Sequence, residues 1–153
     1  MIRFTSTLGP EQKPELERLL FFNGNQSRVV DGVHFVAQTY GIPRITDVEG
    51  RLRIVLGGKL ELQSLYVFDA DELIGVLAYT REDDSFVVLY VAVDEAYESR
   101  GSNAGRMLLV KMLRELETIA RRVRGIAQLR VFLGRREPTR MAVRRLPAPG
   151  KSG

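Results

Sequence analysis

Cysteine is absent from this chain of 153 residues. Its absence excludes a disulfide framework and any thiolate zinc site, and it fits a reducing, cytoplasmic setting. Histidine occurs once, at His34, one step off the apolar face of the helix expected around it; no metal site is expected. No apolar run follows a basic segment at the N-terminus, so no signal peptide is read there. No apolar stretch approaches about 20 residues, so no membrane span is expected. Carboxylates are scarce in one half. Residues 100–153 carry 14 Lys+Arg and 3 Asp+Glu, a net of +11, whereas residues 1–99 carry 9 and 16, a net of −7. A basic half suits a polyphosphate ligand or a nucleic acid; a solvated helix face and a basic tail account for part of the same excess.

What is present supports one packed domain. Hydrophobic residues make up 44 % of the chain, enough for a core at this length. Residues 1–146 read as that domain. Pro147-Ala148-Pro149-Gly150-Lys151-Ser152-Gly153 has a linker-like composition and reads as a flexible tail.

The most informative stretch is Val87–Val123. An apolar run, Val87–Val93, leads into a turn-rich segment, Asp94–Gly105, and then into an amphipathic run. Leu108, Leu109, Met112, Leu113, Leu116, Ile119, Ala120 and Val123 fall on one face of a helix, and Gly125 stops it. Strand, small-residue loop and helix N-terminus in that order make an anion site: the first N–H groups of the helix lack internal partners and the helix dipole adds positive charge there. Phosphate is the natural occupant.

Elsewhere, Ile2–Phe4 reads as a strand and Pro10–Phe22 as a helix with Leu16, Leu19 and Leu20 inward. Phe21–Asn25 forms a loop, and Ser27 caps a second helix reaching Tyr40. Thr46 and Glu49 match a capping box, which favours a short helix through Leu56, with a strand as the competing reading. Leu60–Phe68, Leu73–Thr80 and Ser85–Val93 read as an antiparallel meander on short turns. Gln128–Leu133 follows a helical crossover and is therefore expected parallel to the preceding strand. Thr139–Leu146 reads as a last short helix.

Leu73-Ile74-Gly75-Val76-Leu77-Ala78, Val91-Ala92-Val93-Asp94, Tyr97 and Gly105-Arg106-Met107-Leu108-Leu109 together resemble the GCN5-related N-acetyltransferases. The likeness is nearest in flavour to those that acetylate ribosomal-protein N-termini, and covers residues 60–135 best. The family's Arg/Gln-x-x-Gly-x-Gly/Ala signature corresponds to Arg100-Gly101-Ser102-Asn103-Ala104-Gly105, with Asn103 in place of the middle glycine.

The resemblance implies a three-layer α/β/α fold of α+β class. Its sheet would be mixed and mostly antiparallel, with a parallel pair flanking the long central helix and a truncated C-terminal hairpin. It also implies acetyl-CoA as co-substrate. Backbone N–H groups from Arg100, Gly101, Ser102, Asn103, Ala104, Gly105 and Arg106 would hold the pyrophosphate, and Val91, Ala92 and Val93 would run beside the pantetheine arm in the manner of an added strand. The partner implied is a primary-amine acceptor.

Three departures bear on catalysis. The interval from Val93 to Gly105 is about two residues longer than the family's usual one. No tyrosine follows Tyr97, so the tyrosine that the family commonly uses to protonate the thiolate is missing; Val143 or Arg144 stands near its place. The acid often found on the strand after the helix is also missing, with Phe132 near that position, and the usual Asn before the last helix appears as Glu137. The remaining candidates for acid–base or substrate contact are Asp84, with Glu82 and Asp83 beside it, Tyr90 and Glu137. Phe21, Phe22 and Asn23 fall where the family builds its acceptor pocket. A catalytically silent CoA-binding or protein-interaction module is the competing reading. RNA or ribosome contact through the basic half is compatible with either, as is a homodimer.

Overall fold

The structure is a computed structural model that describes residues 2–21, 43–57, 60–94, 104–132 and 138–143. The helix expected from Ser27, Phe22–Asn25, Arg100–Asn103, Glu137 and the C-terminal tail lie outside the described residues. The described strands are β1 (Ile2–Thr5), β2 (Pro43–Val48), β3 (Arg51–Leu56), β4 (Leu60–Asp69), β5 (Glu72–Glu82), β6 (Ser85–Val93), β7 (Gln128–Val131) and β8 (Thr139–Ala142); the helices are α1 (Lys13–Phe21) and α2 (Ala104–Arg122). A 3-10 turn, Pro10–Gln12, leads into α1, as suits a proline that cannot donate in a first turn.

The strands form one sheet in the order β2-β3-β4-β5-β6-β7-β8, with β1 also paired to β4. All neighbours are antiparallel except β6 and β7, which run parallel from Ser85↔Gln128 to Val88↔Val131. Strand β4 is long enough to serve two partners on one edge: β3 pairs with Leu60–Leu62 and β1 with Tyr66–Asp69.

Each face of the sheet carries its own apolar cluster. Leu16, Leu19 and Leu20 of α1 pack on one face with Leu62, Tyr66, Val76, Ala78 and Val87. Leu108, Met112, Leu116 and Ala120 of α2 pack on the other with Leu65, Val67, Ile74, Leu77 and Val88. The result is the expected three-layer α/β/α arrangement. Because both faces are covered, β5 and β6 are buried almost throughout, which is why they read as unbroken apolar runs.

Two sequence expectations are corrected. The segment around the Thr46–Glu49 capping pattern is a hairpin: Thr46 pairs with Arg53 in β3. Leu52, Ile54 and Leu56 alternate inward, and Glu49 and Gly50 take φ of 54° and 79° in the connecting turn. Positive φ at both central residues suits the twist of a two-residue hairpin, and burial at period two outweighs a local capping motif. Thr139–Leu146 does not begin a helix; Thr139–Ala142 is a strand antiparallel to β7. Among the described residues, the C-terminal hairpin pairs β7 with this four-residue edge strand.

Helix α2 can lie close to the sheet because β5 carries glycine where they meet. A Cβ at Gly75 would stand 3.3 Å from the Met112 sulfur, and Met112 is fully buried. Gly75→Val is expected to lower unfolding free energy by roughly 1–3 kcal/mol through overpacking, measured by urea denaturation.

Candidate functional site

Strands β6 and β7 form a fork with a closed and an open end. At the closed end the Asp84 carbonyl accepts hydrogen bonds from the Ala127 N–H (2.7 Å) and the Gln128 N–H (3.3 Å). Arg130 of β7 pairs with Glu82 of β5 at 3.0 Å. Arg81 donates to the Arg124 carbonyl at 3.2 Å, beyond the C-terminus of α2, where a cation also complements the helix dipole. At the other end Val88↔Val131 is the last parallel pair among the described residues, and the Phe132 N–H donates to the Val88 carbonyl at 3.2 Å. Strand β6 nevertheless continues to Val93, still in register with β5 as far as Gly75↔Val93.

Just past the fork, β6 contains a bulge. Tyr79 pairs with Val88 and Ala78 with Tyr90, leaving Leu89 as the extra residue. The facing pattern breaks accordingly. Phe86 and Val88 face α2 and Val87 faces α1, as alternation requires. Leu89 and Tyr90 then both join the α1-side cluster, and Val91 and Val93 return to the α2 side. A bulge re-aims side chains and interrupts the ladder, and such features concentrate at functional sites.

Helix α2 returns along the sheet in the crossover, so its N-terminus lies toward the open end of the fork. Met112 packs against Gly75, which is level with Val93; Ala104 begins the helix about 12 Å before that contact along the axis. No acidic residue stands in its first turn. That leaves the backbone N–H groups of the turn in a setting favourable to an anion.

The site candidates separate on this frame. Val91, Ala92 and Val93 lie on β6 beyond the fork, and Ala104, Gly105 and Arg106 begin α2. Arg100, Gly101, Ser102 and Asn103, and also Glu137, are outside the described residues. Tyr90 is at the bulge. Asp84 is elsewhere: it is exposed at the closed end, with its carboxylate accepting from the Ser85 hydroxyl at 3.1 Å. Along β6 it stands about 20 Å from Tyr90 and about 30 Å from Val93. The structure does not bring Asp84 together with Tyr90 or with the first turn of α2, and its hydrogen bonds there are structural ones.

Two features of the open end are not visible in the sequence. The bulge leaves no mark because Val87–Val93 is apolar whichever way each residue faces. The second is an ion pair between Arg18 of α1 and Asp94, the residue that follows β6, at 3.1 Å. The Asp94 side chain is only 5 % exposed, and its N–H donates to the Ile74 carbonyl at 2.8 Å. The pair fastens α1 to the start of the segment leading into α2. Its partners are far apart in the chain, so no local pattern announces it.

Burial raises the pKa of three core tyrosines. For Tyr66 this is opposed by Ser64 and Arg53; for Tyr79 burial is the sole cause; Tyr90 is pushed up to about 12 by burial. Burial disfavours the phenolate. The unfolded chain therefore releases these protons at lower pH than the folded one, so their contribution to stability is intact below about pH 10 and is lost as pH rises toward about 12.

No protein-family model matches the chain, and a search of curated proteins finds no match. Among solved structures, N-acetylglutamate synthase from Neisseria gonorrhoeae, in complex with coenzyme A and N-acetyl-glutamate, is similar with a TM-score of 0.50 at 14 % identity. The alignment covers 86 % of this chain and 25 % of that one. The ribosomal-protein-S18-alanine N-acetyltransferase from Escherichia coli aligns at a TM-score of 0.47 and 14 % identity, over 86 % of this chain and 66 % of that one. Nourseothricin acetyltransferase aligns at 0.40 and 18 %, over 85 % and 72 %. The chain spans about a quarter of the synthase and just under two thirds of the S18 enzyme.

Two outcomes check this description. Arg18→Ala is expected to cost roughly 1–3 kcal/mol in urea denaturation, because it removes a partner from a buried carboxylate. Alkaline titration is expected to lower the thermal midpoint of the wild type above about pH 10, and less so in a Tyr90→Phe variant.

Proposed function

On the fold it shares with the GCN5-related N-acetyltransferases, we propose that this chain moves an acetyl group from acetyl-CoA to a primary amine. The observation that carries the reading is the open fork beside the N-terminus of α2. A strand that runs on past its parallel partner offers an extended ligand somewhere to lie, and a helix start without acidic residues in its first turn suits a diphosphate.

The chain's own groups divide the work. Backbone N–H groups from Gly101 to Arg106 hold the diphosphate. Val91, Ala92 and Val93 align the pantetheine arm. Bound acetyl-CoA supplies an activated thioester. The amine, held neutral, attacks the thioester carbonyl; the C–N bond forms, the C–S bond breaks, and the ammonium proton passes to solvent. Positioning accounts for most of the acceleration. No tyrosine follows Tyr97 to protonate the departing sulfur. A thiol of pKa about 8.5 leaves without full protonation, at a cost of roughly 10²–10⁴-fold relative to an enzyme with a general acid. Residues 1–146 act as one domain in this reading.

The missing tyrosine favours a second reading, a silent CoA-binding or protein-interaction module. Lys111, Arg114, Arg122 and Arg124, exposed on and just after α2, and Arg140 on the edge strand β8, provide basic groups for contact with RNA or a ribosome in either case.

Calorimetry with acetyl-CoA and with CoA, followed by thiol release with a panel of amines, tests the proposal. Binding of both and turnover with at least one amine are expected; binding without turnover selects the silent module. Gly105→Trp is expected to abolish CoA binding while leaving the thermal midpoint within a few degrees of wild type. Unchanged affinity would refute the assignment of the diphosphate to this loop.

A further inference from the structure

An anion site is weakened by any negative charge built in beside it, yet a carboxylate stands next to the open end of the fork. Asp94 follows Val93 directly, and its side chain is buried. It is held from two sides. Its N–H donates to the Ile74 carbonyl of β5 at 2.8 Å, and its carboxylate meets the Arg18 guanidinium at 3.1 Å. Val93 serves the α2-side cluster, so by alternation Asp94 faces α1, as the pair with Arg18 requires. Arg18 is placed by its own helix: Leu16, Leu19 and Leu20 seat α1 in the cluster that also contains Ala92 of β6.

The same end lies close to the start of α2. Gly75 packs against Met112 and is level with Val93, and α2 begins at Ala104, two turns before Met112. Asp94 is one residue further along β6 in that direction. Its carboxylate is therefore separated from the first turn of α2 by roughly 10–15 Å, and a buried charge is screened by salt less than an exposed one.

Resting on the acetyl-CoA part of the reading above, we infer that Arg18 is a positioning residue for the cofactor and acts on it through Asp94. The guanidinium cancels the carboxylate charge at the open end, so the diphosphate meets the first turn of α2 without an opposing field. The pair fixes the chain where β6 ends and adds no net charge there. Removing Arg18 leaves this end one positive charge poorer; neutralising Asp94 as well restores the balance. That second step separates charge from packing, because the double variant has lost the ion pair altogether. The Arg130–Glu82 pair is a control supplied by the fold. It is of similar length, 3.0 Å, and lies at the closed end, where Arg130 is level with Val87, roughly 20 Å from Asp94 along β6.

The test is calorimetric titration of CoA at about pH 8, where carboxylates are ionised, into the wild type, Arg18→Ala, Arg18→Lys, Asp94→Asn, the Arg18→Ala/Asp94→Asn double variant and Arg130→Ala. Arg18→Ala is expected to bind CoA roughly tenfold more weakly at low salt, with the gap narrowing at high salt. Arg18→Lys keeps the charge and should keep most of the affinity. Asp94→Asn should bind at least as tightly as the wild type, and the double variant should recover most of what Arg18→Ala loses. Arg130→Ala should bind as the wild type does. Wild-type affinity in Arg18→Ala, weaker binding by Asp94→Asn, or a double variant as weak as Arg18→Ala overturns the assignment alone. Absence of saturable CoA binding by the wild type overturns it together with the acetyl-transfer reading.

Discussion

The pairing of β6 governs this molecule. On one side it is held against β5 over its whole length; on the other, among the described residues, it is held against β7 as far as Val88. The unequal reach of those two ladders creates the fork, and the burial of both sheet faces prevents it from closing by register slip. A one-residue slip would exchange the α1 and α2 faces of every side chain, and both faces are committed to apolar clusters. Burial on two sides therefore fixes a gap in the sheet as firmly as it fixes the sheet itself.

The bulge and the glycine of β5 are local answers to the same constraint. Leu89 breaks the alternation once, so that Tyr90 faces α1 and Val91 and Val93 are carried to the α2 side. Gly75, level with Val93, admits Met112 against the sheet. Arg18 and Asp94 then tie α1 to the end of β6. The closed end is built differently, from backbone bonds to Asp84 and from the Arg130–Glu82 pair.

Much of this was legible in the residues. The spacing of Leu108, Met112 and Leu116 announces α2, and the turns at Asp69–Glu72 and Glu82–Asp84 announce the meander. Those signals are strong because burial on a single helix stripe or a tight turn constrains residue type locally. The hairpin at Pro43–Leu56 is hard to read because a capping box spans only four residues and occurs in strands by chance, while Leu52, Ile54 and Leu56 satisfy a period-two pattern only once the sheet exists. Thr139–Ala142 is too short to show a period, and it is a strand because β7 needs an antiparallel neighbour. At the site, the helix start and the residues Val91–Val93 were readable as types in order. The bulge, the end of the β6–β7 ladder and the Arg18–Asp94 pair were not, because each is a relation between segments.

The central claim is that the first turn of α2 and the free-running end of β6 hold one ligand, acetyl-CoA, between them. Titrating CoA into the isotopically labelled chain and following its backbone amide resonances tests that claim residue by residue. The account predicts that the largest shifts fall on Gly101–Arg106 and Val91–Val93 together, with Ser85–Val87 at the closed end unmoved. Shifts confined to the basic residues of α2 and β8, or no saturable shift at all, would contradict it.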